Sequence, residues 1–363
     1  MRKNLNPNCH PAVCRGHLGQ RTEAGPPGGA WMDSPPSEHG AGKRDYCSLD
    51  QTSTASGAVR HDHTYCKSHN CTRRGRKNQG SGTNMTDVIL KSNEEALVHT
   101  GISVENFHIL VATLQPYNDG TFTMSVQAQV LMTLMKLKSN RPLGELSAFF
   151  KTSESMASQV ILFWIDHLEV VLRPAVPWLP KKAIQATMPA EFKKNFPNTT
   201  CFLGYRESVL HKPRNLGSQA RSPNTVKYLL AVAPCGLITF ISTAYAERCD
   251  EKDMTANSGI LDLLMPGDEV MTHGGLRIKD LLFKRRVNLV MSSLSNDSRQ
   301  PAEENAPSSE QIAHVVMHVE EAIRYLNTYK ILSQGVSTTL APQIDKILRI
   351  CAALTNLRVQ LLN

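Results

Sequence analysis

The sequence predicts an α/β domain preceded by an all-helical module and a long basic tail. Three observations carry this prediction. Residues 1–85 show no regular apolar period. From Asn93 to Leu168 apolar residues recur at helical spacing. Beyond Cys201 short apolar runs alternate with turn residues, and two long helical patterns close the chain.

The chain has 363 residues, a formal net charge of +8 and 41% hydrophobic content, enough to bury a substantial core. Residues 1–85 hold 12 Lys/Arg against 6 Asp/Glu, and the remainder holds 28 against 26. The body is therefore near neutral and the tail is basic. The tail's Gly, Pro, Ser and Asn bury too little apolar surface to offset backbone entropy, which predicts disorder over 1–85. Two of its motifs carry chemistry. Cys9, Cys14, Cys66 and His69 supply the four thiolate and imidazole groups that tetrahedral zinc requires, and their spacing resembles the zinc pattern of THAP domains. Arg15–Tyr65, between them, lacks the apolar and aromatic positions of a folded finger. The cluster Arg73-Arg74-Gly75-Arg76-Lys77 reads as a solvated linker, a nuclear import signal or a phosphate-binding patch.

Five of the nine cysteines lie in the tail. An odd count without an apolar leader predicts free thiols in a reducing compartment, nuclear or otherwise cytoplasmic. The most apolar run, Tyr228–Tyr245, is broken by Pro234 and Gly236. That pattern predicts two buried strands around a turn and no membrane partner.

The helical module is expected over 88–175. Ser103 precedes Val104, Phe107, Ile109, Leu110 and Leu114. A second helix over Ser125–Lys138 aligns Val126, Val130, Leu131, Leu134 and Leu137 on one face. Pro142–Leu168 then lays out a short helix, a turn at Lys151–Thr152 and a longer helix capped by Ser153. This is a helix-turn-helix pattern. In a DNA-reading version Ser153, Ser155, Ser158 and Gln159 would meet base edges. With Glu154 they include one acid and no cation, so phosphate attraction would be weak and a scaffold role stays open.

Residues 176–363 supply the α/β part. It opens with a short helix over Pro189–Phe196 and a strand over Cys201–Tyr205. A hairpin over Asn224–Ser242 is followed by a helix over Thr255–Leu264, and further strands are expected at Glu269–Met271 and Val287–Val290. The closing helices span Ser309–Leu332 and Pro342–Leu361.

The segments CFLGYRESVLHKP, AEFKKNFPNT, EKDMTANSGILDLLMPGDEVM, HVEEAI and LAPQIDKILRICAALTNL occur in this order. They resemble the signatures of the PIF/Harbinger-like DDE superfamily endonucleases, which are transposases. LVHTGISVENFHILVATL and QVLMTLMKLKSNRPLGELSAFF resemble the helix-turn-helix module that precedes that domain. The resemblance implies a ribonuclease-H-like nuclease fold, Mg²⁺ or Mn²⁺ as cofactor, DNA as partner, and a Myb-like DNA-binding protein as a second partner in the nucleus.

It also places the family's carboxylates on this chain. The first aspartate falls on Gly204, which offers no ligand, and a family glutamate falls on Glu207. In a strand those two positions face opposite ways. The second aspartate falls on Glu251, with Asp250 just before it, and the third acidic position falls on His273. The helical glutamate is kept as Glu320, while its basic companions fall on Val316 and Asn327. Two-metal nucleases do their chemistry through such carboxylates. The resemblance therefore implies a nuclease scaffold whose catalytic motif is degenerate. Two alternatives stay open. One is an active divalent-metal-dependent endonuclease with ligands remodelled from Asp250, Glu251, Glu320 and Glu207. The other is a domesticated transposase that binds DNA or a protein partner. His314, His318 and Glu321, at helical spacing and with His273 nearby, are a further candidate zinc set.

Overall fold

The structure is a computed structural model, and it describes residues 85–211, 224–272, 277–291 and 309–358, the side chains of Met85, Met291 and 309–316 excepted. The tail with Cys9, Cys14, Cys66, His69 and Arg73–Lys77 lies outside the described residues, as does His273.

Six helices make the first part: α1 (Met85–Ile89), α2 (Asn93–Thr100), α3 (Val104–Leu114), α4 (Val126–Ser139), α5 (Leu143–Phe149) and α6 (Glu154–Leu172). Serines start four of them. The hydroxyls of Ser92, Ser103, Ser125 and Ser153 each accept from a backbone N–H in the first turn, satisfying donors that the helix leaves unpaired. Between α5 and α6 Lys151 takes a left-handed conformation, and Thr152 N–H donates to Ser147 O at 2.9 Å. The turn is thus hydrogen-bonded in place. Glu154–Ala175 has the length and apolarity of a membrane span. Its Trp164, Ile165 and Leu168 are instead fully buried, in a helix that packs on α4 and on the last helix of the chain.

Two short helices, α7 (Lys181–Thr187) and α8 (Ala190–Asn195), lead into the sheet. Its strands are β1 (Thr199–Leu210), β2 (Asn224–Val232), β3 (Ile238–Ile241), β4 (Tyr245–Ala246), β5 (Glu269–Thr272) and β6 (Asn288–Met291). The order is β3-β2-β1-β5-β6, with β4 also pairing β2. β1, β2 and β3 are antiparallel neighbours, while β5 and β6 run parallel to β1. Such a meander joined to a parallel pair is the arrangement expected of a ribonuclease-H-like sheet. Helices α9 (Glu251–Asn257), α10 (Ile260–Leu263) and α11 (Lys279–Lys284) are followed by α12 (Ser309–Asn327), α13 (Lys330–Gln334) and α14 (Ile344–Arg358).

The sheet separates two cores. One face, with Cys201, Leu203, Leu229 and Ala231, packs on Met254, Ile260 and Leu261 of α9–α10. The other, with Phe202, Leu210, Tyr228 and Leu230, joins Val319, Ile323 and Ile347 and runs without a break into Leu131, Leu134 and Trp164 of the helical module. The described parts of 88–175 and 176–363 therefore form one compact unit. The Asn356 amide fastens it. Its Oδ1 accepts from Ile238 N–H at 2.9 Å, and its Nδ2 donates to Ile238 O at 2.8 Å and Ala175 O at 2.7 Å.

The expected helix over Thr255–Leu264 starts earlier, at Glu251, because Asp250 caps it, and it breaks where Gly259 turns left-handed. β4, α7 and α11 were not expected; each is too short to show a period. Cys201, Cys235 and Cys351 are free thiols as expected, but Cys249 is disulfide-bonded, which corrects that expectation.

Candidate active site

β1 lies at the centre of the sheet, and the register with β5 brings Leu203 beside Thr272, the last described residue of that strand. Gly204 follows directly. It is buried, pairs with Leu230 of β2, and does not have a left-handed φ. Strand alternation puts Gly204 on the face of Phe202, Arg206, Ser208 and Leu210. Ser208 Oγ donates to Leu332 O at 2.7 Å, which places α13 on this face.

Arg206 decides what this position can hold. A Cβ built on Gly204 would stand 3.9 Å from Cζ, Nη1 and Nη2 of Arg206 alike. The guanidinium thus lies face-on over the place where a side chain would project. Its Nη1 donates to Tyr205 O at 2.9 Å. An ion held near this position would meet the like charge of the guanidinium, a repulsion that solvent screening reduces but does not remove. Hard divalent cations also require oxygen ligands. Gly204 offers none, and a fixed cation stands above it. The residues here do not fit a divalent metal.

The remaining expected ligands are dispersed. Glu207 is exposed and projects from the opposite face, where its carboxylate lies 3.8 Å from Lys227 Nζ. Asp250 accepts from Glu251 N–H at 2.9 Å as the cap of α9, and from Arg277 Nη1 at 3.1 Å. Glu251 sits in the first turn of α9, whose Thr255 hydroxyl bonds Tyr205 OH at 2.8 Å. That contact ties α9 to the Tyr205 face and away from Gly204. Tyr205 is pushed up to about 12, chiefly by burial, with the charges of Glu251 and Asp250 adding to the rise. Glu320 belongs to α12, whose Val319 and Ile323 pack on the Gly204 side. It is exposed and lines an open groove with Met317, Glu321, Arg324 and Asn327.

The set Glu207, Asp250, Glu251 and Glu320 is therefore split between the two faces of the sheet. Among the described residues no three His, Cys, Asp or Glu side chains form a metal-binding group. Of the candidate zinc set, His318 is half-buried on α12 and Glu321 accepts from Tyr325 OH at 2.9 Å. The side chain of His314 lies outside the described residues, as does that of Val316.

The helix-turn-helix positions are better placed. Ser155 and Gln159 are exposed on the first turns of α6. Ser153 is exposed too, but its hydroxyl is engaged as the cap, accepting from Met156 N–H at 3.1 Å. Ser158 is half-buried and lines a small cavity with Lys136, Leu143, Ile161 and Leu340. That face is turned toward the nuclease-like part.

Residues 206–356 match the family described as DDE superfamily endonuclease, and residues 123–174 match the helix-turn-helix of DDE superfamily endonuclease. The chain carries a transposase-derived DDE endonuclease domain and its helix-turn-helix. The second match spans α4, α5 and α6, and the first runs from Arg206 in β1 into α14. No curated protein and no solved structure matches the chain. The DDE endonuclease match begins two residues after Gly204, so the reading of that position rests on the strand geometry and on Arg206.

Arg206 was missed in the sequence. The available signal was its i+2 spacing from Gly204 in a strand, which puts both on one face.

Proposed function

We propose that this protein is a transposase-derived binding protein that keeps the DDE endonuclease scaffold without metal-dependent cleavage. The observation that carries the reading is Gly204 beneath the Arg206 guanidinium, at the centre of the sheet where a metal ligand would be needed. Its partner is DNA, met through the helix-turn-helix, where Ser155 and Gln159 are exposed and Glu154 limits attraction to phosphate. The Harbinger-like motif order supports placing it in that branch. A nuclear location and a Myb-like DNA-binding protein as second partner follow from the same resemblance, with Arg73–Lys77 as the import signal.

The test is a cleavage assay with purified full chain, duplex DNA and Mg²⁺ or Mn²⁺. No strand scission is expected. Metal-dependent scission that disappears in Glu320→Gln would overturn the reading. A gel-shift titration in the same buffer should show retarded DNA whose retention weakens only shallowly with salt.

A further inference from the structure

We propose that Arg206 is the residue that excludes divalent cations from this sheet, so that Gly204 and Arg206 act as a matched pair. The inference rests on the reading that the site has no metal chemistry, and it names what enforces that state.

Loss of a carboxylate at Gly204 would by itself be easily reversed. The backbone there is ordinary strand, and an added Cβ would meet its neighbours at normal contact distance. If the missing carboxylate were the whole cause, Gly204→Asp would restore a ligand. The geometry points to a different result. Three of the guanidinium atoms, Cζ, Nη1 and Nη2, are equidistant from the Cβ position, so an introduced carboxylate would project against the cation and be held by charge attraction. Arginine does not give up its proton in proteins, so the competition persists at any working pH.

The fold explains why the guanidinium lies where it does. Alternation puts Gly204, Arg206 and Ser208 on one face. Ser208 is buried and bonded to Leu332 O, so α13 closes the direction beyond Arg206. Across the strand pair Arg206 stands opposite Tyr228, which is buried. The way left open is back along the strand, over the residue that lacks a side chain. The bond from Nη1 to Tyr205 O holds it there. Among the described residues no carboxylate pairs with Arg206. The glycine thus makes room for the cation that replaces the metal.

The experiment is a Mn²⁺ titration of the full chain, following loss of the free-ion electron paramagnetic resonance signal. Wild type, Gly204→Asp, Gly204→Asp/Arg206→Thr and Gly204→Asp/Arg206→Gln are compared after each is shown to unfold cooperatively. Two neutral replacements guard against one of them failing to fold. Mn²⁺ binding is expected to be at least about tenfold tighter in the double variants than in Gly204→Asp, because the introduced carboxylate then stands on the α12 side of the sheet without the guanidinium beside it. Equal binding by Gly204→Asp and the double variants would overturn the proposal, and so would double variants that bind no better than Gly204→Asp. Saturable binding by the wild type would instead contradict the reading on which the proposal rests. The two failures are therefore distinct.

Discussion

The junction between the helical module and the sheet differs from the sheet's central strand in what its residues are doing. At the junction, Trp164 is fully buried and donates to Gln129 Oε1 at 2.8 Å, while Gln129 Nε2 donates to Met124 O at 2.7 Å. Glu169 is buried and accepts from both Arg173 and Arg349. Asn356 bridges β3 and the turn that follows α6. At Gly204 the side-chain atoms nearest the Cβ position belong to a guanidinium bonded to its neighbour's carbonyl. One region is held by packing and shared polar partners, and the other, in the reading proposed above, lacks the ligands its fold would use. The difference teaches that packing and shared polar partners hold the fold, whereas position 204 carries a glycine with the strand pairing intact.

The comparison predicts a graded set of effects. Trp164→Ala should be the most damaging, destabilising by about 3–5 kcal/mol because it opens a cavity and leaves Gln129 Oε1 without its donor. A loss of less than about 1 kcal/mol in urea unfolding would mean that the junction is not the fold's anchor. Asn356→Ala should cost about 2–3 kcal/mol, since three hydrogen bonds to Ile238 and Ala175 are lost in a buried setting. Retention of the wild-type urea midpoint would contradict the role given to this amide.

Lys138 gives a pH-dependent effect at the same junction. It is buried on α4, donates to Thr328 Oγ1 and lies 4.7 Å above the Tyr329 ring. Burial pushes its ammonium down to about 8 from the usual 10.5. Between those values the unfolded chain binds the proton and the folded chain does not, so this group makes stability rise with pH across that window. Below about 8 both states are charged and the contribution is flat. The wild type should therefore gain on Lys138→Met as pH rises from 8 toward 10, measured as paired urea midpoints. A constant gap would show that the ammonium is not held at a depressed pKa.

The smallest expected effect lies at the other region. Gly204→Ala should stabilise the chain by about 0.4–1 kcal/mol, because the strand geometry suits any residue and the unfolded chain becomes less free. A clear destabilisation would show that the glycine is required for packing.

Much of the fold was legible because local chemistry fixed it. Ser103, Ser125 and Ser153 stood directly before apolar helical runs, and each proved to be a cap. The Pro234–Gly236 turn separated two apolar runs that became β2 and β3. The short β4 was not legible because two residues carry no period, and only pairing with β2 defines it. At the site, the absence of a ligand at Gly204 could be read directly. The separation of Glu207 and Glu251 from Glu320 could not, because it depends on which sheet face each helix covers. Asp250 looked like a metal ligand by position and works as a helix cap paired with Arg277. Arg206 was visible only as spacing until the glycine beside it was seen to leave room for its guanidinium.

The central claim is that the scaffold is intact while its metal chemistry is gone. The most direct test is calorimetric titration of the full chain with Mg²⁺ and then Mn²⁺, alongside its thermal unfolding. The account predicts a single cooperative unfolding transition and no saturable binding heat for either ion. Saturable binding of one or two ions per chain, abolished by Glu320→Gln, would contradict it.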